Sequence, residues 1–413
     1  MLRERLDRQL RIEGWNQELL EKSPVAVVGD DPLLTSLFIM SSSALGLNAL
    51  TVIAPSLDEK IIKIAKKINP ELALTHIEGY FVHPAMNFVF HNSRAIVNLS
   101  TYGLAGKLAI NRAYANNIAV IHGYSFAHED RQGFKVFTYL RGREWLELNE
   151  FVRGRQVPLK KSNDPVLSIL LSGIVLEELS RYLMNIKPSS EVIRYERKEP
   201  VEKSKHARVC IVGAGALGNF VALGLGFAGL KNIAIIDPDV VEVSNLNRQV
   251  LFYDSIGASK AGTLSKRLSE LFDLETRFQI GYFDRSTEIS SFDIIFDCVD
   301  NFETRIIISE KCKEERKILI SGGSSPDAGQ VVIYHPGLTN DTPAETLKLY
   351  DIVDRRQVDK YERSRESCVY RPEPSVITTN QIIAGFMVDL SRSLLSQHEV
   401  ENIFYDSKSP RKF

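Results

Sequence analysis

Twice along this chain a short apolar run ends in a turn, gives way to a helix-like stretch and returns as a second apolar run. The first passage starts at Pro24-Val-Ala-Val-Val-Gly29 and returns through Ala44-Leu-Gly46 to Ile53; the second starts at Ala207-Arg-Val-Cys-Ile-Val-Gly213 and returns through Ala228-Gly229 to Ile236. Strand, turn, helix, strand is the opening unit of a doubly wound parallel sheet, so its repetition points to two such sheets. The correspondence continues at similar offsets. Residues 94–100 match residues 293–300, and residues 119–123 match residues 317–322, each an apolar strand. Each half then closes on a long helical pattern introduced by a proline, Pro165 in one and Pro374 in the other. Proline is tolerated in a first helical turn because the N–H it lacks would have no intrahelical partner.

At 413 residues the chain is long enough for two or three domains of roughly 100 to 200 residues. The polar, proline-punctuated stretch around Lys187-Pro and Glu199-Pro reads as a connector. The expected division is residues 1–190 as a first half, 191–206 as linker and 207–413 as a second half. With 51 Lys plus Arg against 52 Asp plus Glu, no global basic field or single-sign tail is available to hold a polyanion, so no nucleic-acid partner is expected. The four cysteines, Cys210, Cys298, Cys312 and Cys368, give neither a disulfide framework nor a C-x-x-C zinc spacing. The expectation is a cytoplasmic protein without structural zinc. A charged start, Met1-Leu-Arg-Glu-Arg, and the lack of an apolar run near ~18 residues predict no signal peptide and no membrane span.

The halves part company at their first turns. A phosphate-binding turn needs small residues so that backbone N–H groups and the helix N-terminus can approach the anion. Gly213-Ala-Gly215-Ala-Leu-Gly218 supplies them, whereas the first half has Gly29-Asp-Asp-Pro-Leu-Leu34, with carboxylates that repel a triphosphate. Alone, G-x-G-x-x-G would suit a hydride-transferring dehydrogenase equally well. Asp237, ending the next strand, can accept ribose hydroxyls. The dense run that follows, Asp237-Pro-Asp239-Val-Val-Glu-Val-Ser-Asn245-Leu-Asn-Arg248-Gln249, then Lys260 and Asp300, is not dehydrogenase-like. Cations along a polyphosphate with a metal-binding carboxylate suit attack on an α-phosphate with expulsion of pyrophosphate.

The block from Gly213 to Arg248, with Lys260 and Asp297-Cys-Val-Asp300-Asn-Phe-Glu-Thr-Arg305, resembles the adenylating domain of the ThiF/MoeB and ubiquitin-activating-enzyme family. The resemblance implies an α/β fold in which two Rossmann-like doubly wound sheets form an internal pseudo-dimer. It also implies that Gly213, Gly215, Gly218, Asp237, Asp239 and Gln249 line an ATP site, that Asn245, Arg248 and Lys260 grip the triphosphate, and that Asp300 positions Mg²⁺. The family contributes one arginine from the amino-terminal helix of the partner half, within an R-Q-x-x-x-x-G type motif. Asp7-Arg8-Gln9-Leu-Arg-Ile-Glu-Gly14 is similar, which would bring Arg8 to the second half's nucleotide. The first half resembles the inactive half of two-part activating enzymes, with Ser100 where the second half has Asp300.

An acyl adenylate needs a nucleophile to discharge it. Cys368, in Arg363-Ser-Arg-Glu-Ser-Cys368-Val-Tyr-Arg371, precedes the closing helix among arginines that favour a thiolate. Its position resembles the catalytic cysteine of the short activating enzymes. The resulting expectation is an ATP- and Mg²⁺-dependent enzyme that adenylates the C-terminal carboxylate of a ubiquitin-like protein and captures it as a thioester on Cys368, for transfer to a conjugating enzyme. Two alternatives stay open: an adenylating tailoring enzyme for a ribosomal precursor peptide, and a non-catalytic regulatory subunit of an activating complex. Pairing of two chains as a homodimer also stays open. Cys210 and Cys298, within apolar strands, read as core residues.

Overall fold

In the computed structural model the described residues are 2–142, 161–200, 206–274, 276–364, 373–409 and 412–413. The first sheet contains β1 (Val25–Gly29), β2 (Ala49–Ala54), β3 (Ala73–Glu78), β4 (Ala95–Leu99), β5 (Ala119–His128), β6 (Arg131–Tyr139) and β7 (Ile193–Lys198). The second contains β8 (Arg208–Val212), β9 (Asn232–Asp237), β10 (Thr276–Ile280), β11 (Ile294–Asp297), β12 (Ile318–Ser324), β13 (Ala328–Tyr334) and β14 (Ile403–Asp406). Their strand orders are the same: β3-β2-β1-β4-β5-β6-β7 and β10-β9-β8-β11-β12-β13-β14. In each sheet the first five strands of that order run parallel and the last two pair antiparallel. The central strands β1, β4, β8 and β11 are mostly apolar where they are buried, as strands covered on both faces must be, with Asn98 in β4 and Asp297 at the end of β11 as the buried polar exceptions. The fold is the doubly wound pair expected.

Residues 193–198, inside the stretch expected to be linker, form β7 and extend the first sheet. Its Ile-Arg-Tyr-Glu-Arg-Lys alternation is the period-2 signal of an edge strand, which its charged residues hide from a composition reading. The two closing helices also differ slightly from expectation. Pro165 occupies the first turn of the helix Pro165–Leu183, with the Asp164 carboxylate accepting from Val166 N, but the matching helix begins at Ile377, beyond Pro374.

These two helices hold the halves together. Each carries a glycine where the other crosses. A Cβ on Gly173 would lie 2.9 Å from Ile382 Cγ1, and one on Gly385 would lie 2.7 Å from Leu170. Gln381 bridges at the crossing, donating to the Ile169 carbonyl at 2.9 Å and to Ser172 Oγ at 2.7 Å while accepting from Ser41 Oγ at 2.7 Å. Nearby, Asp164 of the first half binds Arg392 of the second and Arg197 of β7, and Arg197 also grips Asp389. All four groups are at least largely buried, so each charge depends on its partners. At the far edge, Lys412 reaches Glu178 at 2.9 Å and Tyr405 donates to Glu177, docking β14 against the helix Pro165–Leu183.

Candidate active site

The C-terminal ends of β8, β9 and β11 converge beside the helix Ala216–Phe227, the crevice where open α/β sheets bind ligands. Gly213 takes φ 96°, left-handed space that glycine alone enters freely, and a Cβ there would meet the Cys298 carbonyl at 2.8 Å. A Cβ on Gly218 would lie 2.0 Å from the Gly213 carbonyl oxygen, so the turn can pack on its helix only through glycine. Gly215 is different: among the described residues no atom lies within 4 Å of the position its Cβ would take. It is the N-cap of the helix Ala216–Phe227 and brings no capping side chain. The leading N–H groups thus lack the side-chain cap that most helices carry, and among the described residues nothing covers the positive end of the helix dipole beside Gly215.

The same turn in the first half is closed from within. Asp31 caps the helix Pro32–Leu45 through Leu34 N at 2.9 Å, and Lys161 Nζ lies 2.9 Å from Asp31. Asp30 accepts from Thr101 N at 2.7 Å, Thr101 Oγ1 at 2.6 Å and Ser100 Oγ at 3.2 Å. Anion-binding capacity is consumed by the protein's own carboxylates.

On the β9 side of the second-half crevice, Asp237 is buried and accepts from Ala214 N at 2.6 Å and Asp239 N at 2.8 Å. Burial pushes its carboxyl up, an effect that Lys260 and the two N–H donors oppose. Backbone pairing of Asp239 and Val241 with Lys260 and Ala258 brings Lys260 alongside, and its Nζ sits 2.9 Å from Asp239. Asn245 Oδ1 accepts from Glu242 N at 3.0 Å, so this amide shapes the loop ahead of Arg248. Gln249 is buried, and its Oε1 has no hydrogen-bond partner among the described residues.

Arg248 is 7% exposed; NH1 donates to the Ser244 carbonyl and to Asn247 Oδ1, each at 2.8 Å. No carboxylate forms an ion pair with it among the described residues. Burial lowers its pKa to about 10, with the charge of Arg8 acting in the same direction and Asp300, Glu242 and Asp7 opposing. Arg8 is half-buried and donates to the Glu373 carbonyl at 3.2 Å, while Asp300 is exposed just beyond β11. The fold therefore brings Arg8 of the first half and Asp300 within electrostatic reach of Arg248, and gathers Asp237, Asp239 and Lys260 around the end of β9.

Cys368, the expected nucleophile, lies outside the described residues. The other cysteines are all buried, Cys210 with its thiol pushed up to about 12 by burial, and Cys298 and Cys312 pushed up likewise. None offers a thiolate at neutral pH.

Sequence reasoning missed two side chains that build the site. Asn219 Nδ2 donates to the Ala214 and Gly215 carbonyls at 3.0 and 2.9 Å, and its Oδ1 accepts from Leu251 N at 3.0 Å, tying the glycine turn to the Arg248 loop. Its signal was available: a lone amide in an otherwise apolar helix. Asp297, fully buried, binds Arg305 at 3.2 Å and Ser321 Oγ at 2.6 Å and so fixes the base of the Asp300 loop.

The ThiF family profile matches residues 189–411, more than half of the sequence. The chain belongs to the ThiF family. This ThiF-family chain is 34% identical over 167 residues to a probable molybdopterin-synthase adenylyltransferase of Porphyra purpurea, covering 39% of the chain and 42% of that relative. It is 39% identical over 138 residues to adenylyltransferase and sulfurtransferase MOCS3 of Dictyostelium discoideum, covering 32% of each. It is also 28% identical over 235 residues to ubiquitin-like modifier-activating enzyme 5 of Caenorhabditis briggsae, covering 52% of each. The matches thus span about half or less of those relatives' lengths. The structure of E. coli MccB with succinimide aligns with 50% of the chain and 62% of its own at 21% identity and a TM-score of 0.42.

Proposed function

We propose that the chain is an ATP-dependent activating enzyme that adenylates the C-terminal carboxylate of a ubiquitin-like protein and captures the acyl group as a thioester on Cys368 for a conjugating partner. The observation that carries the adenylation is Arg248, a buried cation without a carboxylate in contact among the described residues, next to the like charge of Arg8. Holding a buried guanidinium next to a second positive charge is unfavourable until an anion arrives, and a triphosphate supplies one. The uncapped helix at Gly215 and the space beside it among the described residues fit the same anion. Similarity to an adenylyltransferase and to a ubiquitin-like modifier-activating enzyme supports this reading.

In this reading Asp237 holds ribose, Arg8, Arg248 and Lys260 draw charge from the phosphates, and Asp239, Asn245 and Gln249 shape the wall. Asp300 would hold Mg²⁺, which when bound neutralises phosphate charge as a Lewis acid. The substrate carboxylate oxygen bonds to the α-phosphorus as the bond to pyrophosphate breaks, and pyrophosphate leaves with that electron pair. The Cys368 thiolate, its proton lost to solvent, then bonds to the acyl carbon and AMP departs. Lowering the negative charge met by the approaching carboxylate is the chain's main contribution.

ATP–pyrophosphate exchange in the presence of a ubiquitin-like protein tests both steps. Asp300→Ala abolishes exchange, whereas Cys368→Ala keeps it and loses the thiol-reducible adduct. An adduct that survives Cys368→Ala removes the cysteine from the mechanism. Exchange supported by short peptides and by no ubiquitin-like protein moves the substrate to a precursor peptide.

A further inference from the structure

We infer that Gln9 is a positioning residue for Arg248, acting through Asn247 in a hydrogen-bond relay that crosses from one half of the chain to the other. Arg248 NH1 donates to Asn247 Oδ1 at 2.8 Å, Asn247 Nδ2 donates to Gln9 Oε1 at 3.0 Å, and Gln9 Nε2 donates to the Leu45 carbonyl at 3.0 Å and to Gln17 Oε1 at 2.6 Å. Gln9 and Asn247 are fully buried, so water cannot substitute for either partner. Leu45 closes the helix Pro32–Leu45 of the first half, and Trp15 Nε1 holds Gln17 Oε1 from the other side at 3.0 Å.

The polarity of the relay is fixed at both ends. A guanidinium only donates and a backbone carbonyl only accepts, so neither amide between them can flip without leaving like groups face to face. Asn247 must turn its oxygen to Arg248 and its nitrogen to Gln9; Gln9 must turn its oxygen to Asn247 and its nitrogen to the first half. One short helix, Asp7–Leu10, therefore delivers Arg8 toward the crevice and Gln9 into the protein. Without the relay, a buried guanidinium beside the like charge of Arg8 would be held at NH1 by the Ser244 carbonyl alone among the described residues. The relay keeps it aimed before the anion arrives, which spares the ligand the cost of ordering it. This inference rests on the reading of Arg248 as a triphosphate ligand.

Calorimetric titration separates the relay from that reading. The probes are ATP with Mg²⁺, and adenosine, which has the base and ribose without phosphate, measured by competition. Gln9→Met removes the amide at nearly constant volume, frees Asn247 from its partner and weakens ATP binding roughly tenfold, the upper end for one neutral hydrogen bond. Adenosine binding stays within about twofold. Asn247→Ala has the same effect, and because both variants break one relay, the double variant is no weaker than the weaker single. Thermal unfolding establishes that each variant is folded, and if Gln9→Met is not, Asn247→Ala carries the comparison. Wild-type ATP affinity in a folded Gln9→Met protein overturns the relay. Equal loss of adenosine and ATP overturns it too, by showing a general packing defect, as does a double variant in which the losses multiply. Failure of the wild-type chain to bind ATP overturns the nucleotide reading and the relay with it.

Discussion

Lys161 Nζ lies 2.9 Å from the Asp31 carboxylate and donates to the Asp30 carbonyl at 3.3 Å, so a cation of the protein itself sits on the turn that follows β1. In the turn after β8, no described residue lies within 4 Å of the position a Cβ on Gly215 would take. ATP titration should therefore saturate near one nucleotide per chain. Lys161→Met should leave that affinity within about twofold and cost about 1 kcal/mol of stability or less, as partly exposed ion pairs do. Saturation at two nucleotides would show that the first turn also binds.

The glycines of the second turn should separate by function. Gly218→Ala places a methyl group 2.0 Å from a backbone oxygen and should destabilise the chain by about 3 kcal/mol while abolishing nucleotide binding. Gly215→Ala meets nothing within 4 Å among the described residues and should keep its melting temperature, yet weaken ATP binding by occupying space the phosphates need. Equal melting losses in both variants would contradict this division.

The crossing of the closing helices predicts a purely structural pair. Gly385→Ala drives a methyl group to 2.7 Å from Leu170, and Gly173→Ala to 2.9 Å from Ile382. Each should lower the urea midpoint, with losses of roughly 1–3 kcal/mol. Because both press on one crossing, the double variant should lose measurably less or more than the sum, and strict additivity would argue against a shared contact.

Buried charges give the chain a two-sided pH dependence. Burial pushes Glu177 up to about 7 from an ordinary 4.5; Glu178 adds to this and Lys412 opposes it. A carboxyl raised on folding binds more protons in the native state, so stability falls as pH rises from 4.5 through 7, by on the order of 3 kcal/mol. Glu177→Gln should recover that amount at pH 8 and change little at pH 4. On the acid side the sign reverses. Burial alone would raise Asp164, but Arg392 and then Arg197 hold it well below the carboxylate range, so its stabilisation is lost as pH drops below 3.8. Burial holds His122 down to about 4, so its neutral ring costs stability as pH falls below 6.5. Denaturant titrations of wild type and Glu177→Gln across pH 4–8 check both limbs; identical profiles would remove Glu177 as the alkaline-side group.

How much of this was legible in the sequence follows from where each signal comes from. The apolar runs of β1, β4, β8 and β11 and the spaced glycines of the second turn are readable directly, because a strand covered on both faces admits few polar residues. β3, β10 and β7 lie at sheet edges with much of their surface exposed, so their residues carry ordinary surface chemistry and look like connector. The candidate site divides in the same way. Arg8, Arg248, Lys260 and Asp300 stand out by charge in a recognisable order, whereas Gln9, Asn219 and Asn247 act through hydrogen-bond direction, which no composition or periodicity encodes. Asp239 and Asn245 were visible as polar residues, but their use for Lys260 and for the Glu242 backbone emerges only from the folded loop.

The matching strand orders of the two sheets have a consequence for descent. In an assembly of identical copies every inherited change is made at each site at once, so a carboxylate in the glycine turn would strike all of them together. Here the counterparts are encoded separately, and Asp30, Asp31 and Lys161 could accumulate at one turn while Gly213, Gly215 and Gly218 persisted at the other. With both sheets in one polypeptide, each turn can change without the other.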